Sequence, residues 1–379
     1  MFMQRGMWTS LVLALSGSLA AQIGGDGSDG VFHPTSDVVI DTSTRPGGYH
    51  YKSITIPAGV TVGLIGTNPA IIRSQGSVDI AGTLHANGYR GSVPTGGAPG
   101  AGGYAGGDGG SPGGKWGQGP GGGAGGLALF GTLSSAGQPG KHRTVYGAAL
   151  PFDLRGGSGA GGSANSVSSG RGPGYGGSGG GGTIVLLADN SVNVTGKISA
   201  NGEFSAAGGS IMVRSLKQLR VSGAIDAQGG GFWMLKGGDG FVRLDAYGDS
   251  PVITGTVLPA PTTLQMPALR EATPLTIGTT WRLEANAVPA DSVLFYASLN
   301  QINVPLPPLG ILRIDPSLMF FLGVTTVPVL GHDPVATLSL AIPNAPGLRG
   351  LWVHVQSINP GTKAALGPKL SNHVSAQVK

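Results

Sequence analysis

The 379-residue chain contains no cysteine, and only 11% of it is charged, less than half the share of about 25% in an average globular protein. Without cysteine no disulfide framework can hold the fold, and the chain loses nothing by crossing into an oxidising space. The scarcity of charge bears on partners. The net charge is +5, yet Arg90, Lys115, Lys141, Arg143, Arg155 and Arg171 are scattered singly through a glycine-rich stretch that also holds Asp108 and Asp153. Charges with no stripe, no aromatic interleaving and no helix to present them are not the footprint of a nucleic-acid binder. No run of ~18 apolar residues follows the N-terminus, so the mature chain is expected to lack a transmembrane segment. Helical periodicity is convincing nowhere, which leaves strands and turns.

What the chain does have is glycine: 72 residues, with 38 of them in the 95 residues from Gly88 to Gly182. Such a composition often signals disorder, but 40% of the chain is hydrophobic and those residues are patterned, so sizeable cores can form. The N-terminus reads as a signal peptide over residues 1–20. Arg5 supplies the positive charge, Leu11 to Leu19 the apolar stretch, and Ser18-Leu19-Ala20 a small-x-small site with cleavage expected after Ala20. With no sorting motif or hydrophobic tail before Lys379, attachment to a surface is expected to be noncovalent.

Three segments repeat one unit: SVDIAGTLHANG from Ser77, SVNVTGKISANG from Ser191 and QLRVSGAIDAQG from Gln218. Val78, Ile80, Leu84 and Ala86 share offsets with Val192, Val194, Ile198 and Ala200, and with Leu219, Val221, Ile225 and Ala227. The period of two puts these on one face of paired short strands. Gly82, Gly196 and Gly223 fall between them, where a corner must turn without a side chain in the way. A third strand precedes each unit at Ala70 to Ser74, Thr183 to Ala188 and Ser210 to Arg214, rich in the branched residues of buried parallel strands. Val192 to Leu219 is 27 residues, about one coil of a three-sided solenoid, and stacked rungs bury what a lone rung cannot.

The expected fold is therefore all-β: a right-handed parallel β-helix over residues 21–257, opening with the rung at Ser53 to Leu64 and closing at Gly240 to Val257. The glycine-rich insertion, 88–182, enters after the first full rung, with Trp116, Leu127 to Leu129, Phe130, Tyr146 and Phe152 as apolar anchors. A proline-rich linker is expected at 258–269. An antiparallel β-sandwich over 270–379 follows from seven strand-like runs, at Thr280, Val293, Gly310, Met319, Ala336, Gly350 and Leu370.

GGDGSDGVF from Gly24, SITIPAGVTV from Ser53, SVDIAGTL from Ser77, and VPLPPLGILRIDP and AIPNAPGLRGLWVHVQ near the C-terminus resemble a group of exported bacterial glycine-rich β-solenoid proteins of unknown function carrying a C-terminal β-sandwich module. The resemblance covers most of the mature chain. It implies export and brings no catalytic residues.

Candidate chemistry is local. Gly24 to Phe32 fits the calcium nonapeptide, with Asp26 and Asp29 as carboxylates and Val31 as the inward residue, but it occurs once, and calcium wants 6 to 8 oxygens from consecutive turns. Asn87, Asn201 and Gln228 share one offset and form a candidate structural amide ladder. His85, Ser199 and Asp226 share another; they spell a hydrolase triad in the wrong spatial order, with the serine in the middle. Asp79 and Arg220, with Asn193 between, are the candidate groove of a polysaccharide-active β-helix, with Lys197, Arg243 and Asp245 the other charges at hand. His332-Asp333, His354 and His373 are dispersed metal candidates. Trp233, Trp281 and Trp352 could stack on sugars, though Trp281 and Trp352 read as core. The balance favours an exported noncatalytic surface, matrix or adhesion protein whose partners are polysaccharide or cell-surface components. The alternatives are an extracellular carbohydrate-binding protein and a polysaccharide lyase or hydrolase.

Overall fold

The computed structural model describes residues 23–110, 113–124, 138–139, 155–164, 174–232, 235–247, 249–288, 290–328, 335–362 and 367–379. The signal peptide, Leu127 to Phe130, Tyr146, Phe152, Trp233 and His332-Asp333 lie outside the described residues. The chain is all-β and divides into two compact units, Ile23–Ala268 and Leu269–Lys379.

The first unit is a parallel β-helix of three six-stranded sheets. Each rung supplies one strand to each sheet, as in Val192–Val194, Lys197–Ser199 and Ser210–Ser215. The repeat sets the register: Val192 pairs with Val78 and Leu219, and Ile198 with Leu84 and Ile225. The shared inward residues line one continuous core, from Ile54 and Ile56 through Val78, Val192 and Leu219 to Leu244. The corner glycines Gly82, Gly196 and Gly223 have ordinary backbone angles. What demands glycine there is space: a Cβ on Gly196 or Gly223 would lie under 3.0 Å from the carbonyl oxygens of the rung before.

The solenoid is longer at both ends than the repeat predicts. An earlier rung of Val31–Phe32, Val38–Asp41 and Tyr49–Tyr51 pairs onto the expected opening rung. It is capped by Phe32 and Tyr49 packing on Tyr51, with ring centroids 4.9 and 6.1 Å away. Phe32, rather than Val31, is the inward residue; Val31 is 65% exposed. At the other end the proline-rich stretch is no linker. Thr262–Met266 is the sixth strand of the third sheet, in register with Arg243 to Tyr247, because Pro259, Pro261 and Pro267 lie outside the strand, where no ladder N–H is needed.

The glycine-rich insertion interrupts a rung. It leaves after Thr83–His85 in the second sheet and returns at Thr183–Ala188 in the third. Its described segments are neither α-helix nor β-strand, and their hydrogen bonds show what they are. The N–H groups of Gly174, Gly177 and Gly180 donate to Gly110, Gly107 and Tyr104. Those of Gly176, Gly179 and Gly182 donate to Ser92, Tyr89 and Ala86. The carbonyls of Tyr175, Ser178 and Gly181 accept from Ser163, Ala160 and Gly157. Every third residue thus serves the same neighbour, the signature of an extended helix with three residues per turn, the polyproline II geometry. Segment 104–110 repeats the rule, donating through Tyr104, Gly107 and Gly110 to Gly157, Ala160 and Ser163, and through Gly106 and Gly109 to Gly97 and Pro94.

The insertion is therefore a bundle of threefold glycine helices joined sideways by backbone hydrogen bonds. The next two rungs feed it from the same corner, with Gly181 donating to Ala207, Gly208 to Gly238 and Gly230 to Ala206. Small side chains such as Ala101, Ser158, Ala160 and Ser178 are buried within it, whereas the large Trp116 and Tyr175 are 70% and 64% exposed.

The second unit is a β-sandwich. One sheet carries Thr280–Asn286 antiparallel to Val335–Ala341, with Ala268–Glu271 as its third strand. The other orders Phe320–Thr326, Ser292–Ser298, Trp352–Asn359 and Lys369–Gln377. The hairpin Gln301–Leu306 and Gly310–Ile314 packs on this sheet's outer side, where Gln356 Nε2 donates to Ile311 O and Gln356 Oε1 accepts from Arg313 N–H. Trp281, Leu283, Val293, Phe295 and Val355 form the core. The Trp281 indole N–H donates to Glu271 Oε1 at 2.9 Å.

Candidate functional site

The outward faces of the solenoid hold most of the candidate residues. On the first sheet the ladder Asp79, Asn193, Arg220 is in register across consecutive rungs, with both charged ends exposed. Arg243 and Asp245 do not join it. They point out of the third sheet, whose outer side is buried: Val185, Leu187 and Met212 lie beside Arg214, Arg243 and Asp245, all 5% exposed or less. Asp245 accepts from Arg214 through Nε and Nη2, at 3.0 and 2.6 Å, and from Arg243 Nε at 3.0 Å. The two arginines clamp one carboxylate in a buried ion cluster.

On the second sheet, Ser199 pairs with His85 on one side and Asp226 on the other, so the serine stands in the middle, as the repeat predicts. His85 Nδ1, Ser199 Oγ and Asp226 Oδ1 are buried and have no hydrogen-bond partner among the described residues. The other oxygen of Asp226 accepts from Asn201 Nδ2 at 2.8 Å and lies 4.0 Å from Lys197 Nζ. Burial, reinforced by Lys197, holds the His85 pKa below the ordinary histidine value. The acid does not orient this imidazole as a base, since it lies beyond the serine in the ladder.

The amides at the next offset do not stack amide on amide. Asn87 Oδ1 accepts the backbone N–H of Asn201, and Asn201 Oδ1 that of Gln228, both at 2.8 Å. Each amide thereby ties one rung to the backbone of the next where the chain leaves for the bundle.

The nonapeptide carboxylates are engaged by donors. Asp29 accepts from Arg45 Nη1 at 2.8 Å and from the His50 N–H at 2.7 Å, and these bonds hold its carboxyl below the usual range despite partial burial. Asp26 accepts from the Ser28 N–H and faces His50 Nδ1. Arg45 supplies the positive charge paired with Asp29.

Asp189, which sequence reasoning passed over, is a carboxyl whose pKa is raised rather than lowered. It stands at the end of the strand Thr183–Ala188, where Oδ1 accepts from Gly24 N–H at 3.0 Å and Oδ2 is buried with no hydrogen-bond partner among the described residues. Burial, offset in part by backbone N–H groups and Arg73, raises its pKa to about 6. Because the folded value lies above the ordinary aspartate value of 3.8, the stability this group contributes is full below pH ~4 and is lost as pH rises through about 6. Asp189→Asn keeps the acceptor for Gly24 and removes the charge. Its urea-unfolding free energy at pH 7.5 is expected to exceed the parent's by about 1–2 kcal/mol, with the gap closing near pH 4. A variant less stable than the parent at pH 7.5 would show that the ionised form is the one the fold prefers.

In the second unit, His354 and His373 lie diagonally on one outer sheet face. His354 Nδ1 meets Ser375 Oγ at 2.7 Å, and the His373 ring meets Gln301 Nε2. Trp281 is 2% exposed, as its place in a strand predicts. Trp352 corrects the other expectation: it is 49% exposed and stacks on His354, centroids 6.5 Å apart. It opens its strand on the outward parity, while Val353 and Val355 carry the core.

No protein-family model, no curated protein and no solved structure matches the chain.

Proposed function

We propose that this chain is an exported, noncatalytic structural and adhesion protein of a cell surface or extracellular matrix. The observation that carries the reading is the glycine bundle. A large share of the chain is committed to threefold helices cross-bonded through their backbones and fused to a solenoid corner. That construction supports a stiff, extended, charge-poor scaffold. The arrangement of Ser199, His85 and Asp226, and the clamping of Asp245 by two arginines, favour support over chemistry.

Two measurements test the proposal together. The full chain expressed in a bacterial host is expected to be recovered outside the cytosol with Ala21 as its N-terminus. Incubated with insoluble polysaccharides, it is expected to release no soluble sugar, whether or not Asp79→Ala and Arg220→Ala are present. Sugar release that vanishes in the doubly substituted chain, its circular dichroism unchanged, would replace the reading with that of a β-helix hydrolase or lyase. Recovery from the cytosol with Met1 intact would overturn export.

A further inference from the structure

We infer that the outer face of the four-stranded sheet in the C-terminal unit is a binding strip for an acidic polysaccharide. Four rings cross this face on three adjacent strands. Phe321 and Tyr296 are cross-strand partners with centroids 5.3 Å apart. His354 lies opposite Ser298, two residues along from Tyr296, and Trp352 stacks on His354 with the ring planes 7° apart. Strand spacing and rise make the strip about 17 Å long, enough for several sugar rings. Phe321 is 55% and Trp352 49% exposed. Both are on the outward parity, away from the sandwich core, so neither is needed to fill it.

The charge around the strip selects the partner. The strands Ser292–Ser298, Gln301–Leu306, Gly310–Ile314, Phe320–Thr326, Trp352–Asn359 and Lys369–Gln377 contain no aspartate or glutamate. They contain Arg313, Lys369, His354 and His373, and His373 is within electrostatic reach of both Arg313 and His354. A face with half-exposed rings, donors such as Gln301 and Ser375 at its rim and basic charge on its strands, with Asp315 the carboxylate at the hairpin's end, complements a polymer with apolar C–H faces, hydroxyls and carboxylates. An acidic glycan has all three. The site goes beyond the scaffold reading and rests on it only in placing the partner outside the cell.

The test is a binding measurement on the full chain with polygalacturonate, alginate and a sulfated galactan, with fully methyl-esterified polygalacturonate as the uncharged counterpart. The chain is basic overall, so indiscriminate attraction to polyanions must be separated from the strip. Trp352→Ala and Phe321→Ala, which leave the net charge unchanged, are each expected to weaken binding to at least one acidic polymer tenfold or more. Lys217→Ala, which removes an exposed charge from the other unit, is expected to leave it within twofold. Methyl esterification is expected to weaken binding at least tenfold. Failure of all three acidic polymers to bind, equal binding by the ring variants, or undiminished binding to the esterified polymer would each overturn the site. So would a strip that instead captures anionic phospholipid vesicles in a Trp352-dependent way. None of these outcomes touches the export test, which reads compartment and N-terminus alone.

Discussion

Gly180→Ala is expected to lower the stability of the solenoid unit by more than about 4 kcal/mol, or to abolish its folding. Gly180 lies in the middle of the bundle, donating to Tyr104 O and accepting from Gly100 N–H. A Cβ there would sit on the Gly157 carbonyl oxygen, far closer than the 3.0 Å that real Cβ atoms respect. The atoms it meets are backbone atoms, themselves hydrogen-bonded, so no side chain can swing aside. The loss should exceed that of a core truncation, because separating two helices breaks several bonds at once and leaves their partners buried. Gly47→Ala is the matched control: nothing lies within 4 Å of a Cβ at Gly47, and a change within about 0.5 kcal/mol is expected. Urea unfolding followed by circular dichroism, with hydrogen exchange at Tyr104 and Gly157, reads both. A Gly180→Ala protein as stable as the parent would mean that these helices do not pack through their backbones.

Asp245→Ala should come second, at about 3–5 kcal/mol. It removes the carboxylate that accepts from both Arg214 and Arg243, all three side chains 6% exposed or less. Each guanidinium would lose a buried carboxylate in a region walled by Met212 and Leu187, and removing one side of a buried pair costs more than the pair itself is worth. The same logic makes a second outcome informative. Replacing Arg214, Asp245 and Arg243 together by Met, Leu and Met is expected to recover most of the loss, since apolar residues of similar volume can substitute for a buried ion cluster. A small effect of Asp245→Ala alone would show that water reaches the cluster.

The rungs were legible because a parallel ladder repeats its constraints: inward Val, Ile and Leu at period two, with glycine where one rung's carbonyls crowd the next. The first rung was not, since Val31–Phe32 is too short to display alternation. Thr262–Met266 was masked by prolines that only flank it. The bundle's order was invisible for a deeper reason. Its period of three resides in backbone bonds between segments distant in sequence, such as Gly177 to Gly107, and glycine has no side chain to advertise which face is inward. In the sandwich, the seven expected runs all form strands, while Gln301–Leu306 was obscured by Pro305. The aromatic strip needs pairing knowledge, because Phe321, Tyr296 and Trp352 become neighbours only once the order of their strands is known.

The threefold helix also constrains how this chain can change its length. Within segments such as 104–110 and 174–182, each residue type is assigned to a direction by its position modulo three. Inserting or deleting one residue would rotate everything downstream by a third of a turn, turning each N–H and carbonyl away from the segment it now bonds. A gain or loss of three residues would shift the segment along its axis and keep every direction. Viable length variants of these segments should therefore differ by multiples of three, a rule like that of a reading frame but enforced by packing, whereas the connections between segments are free of it.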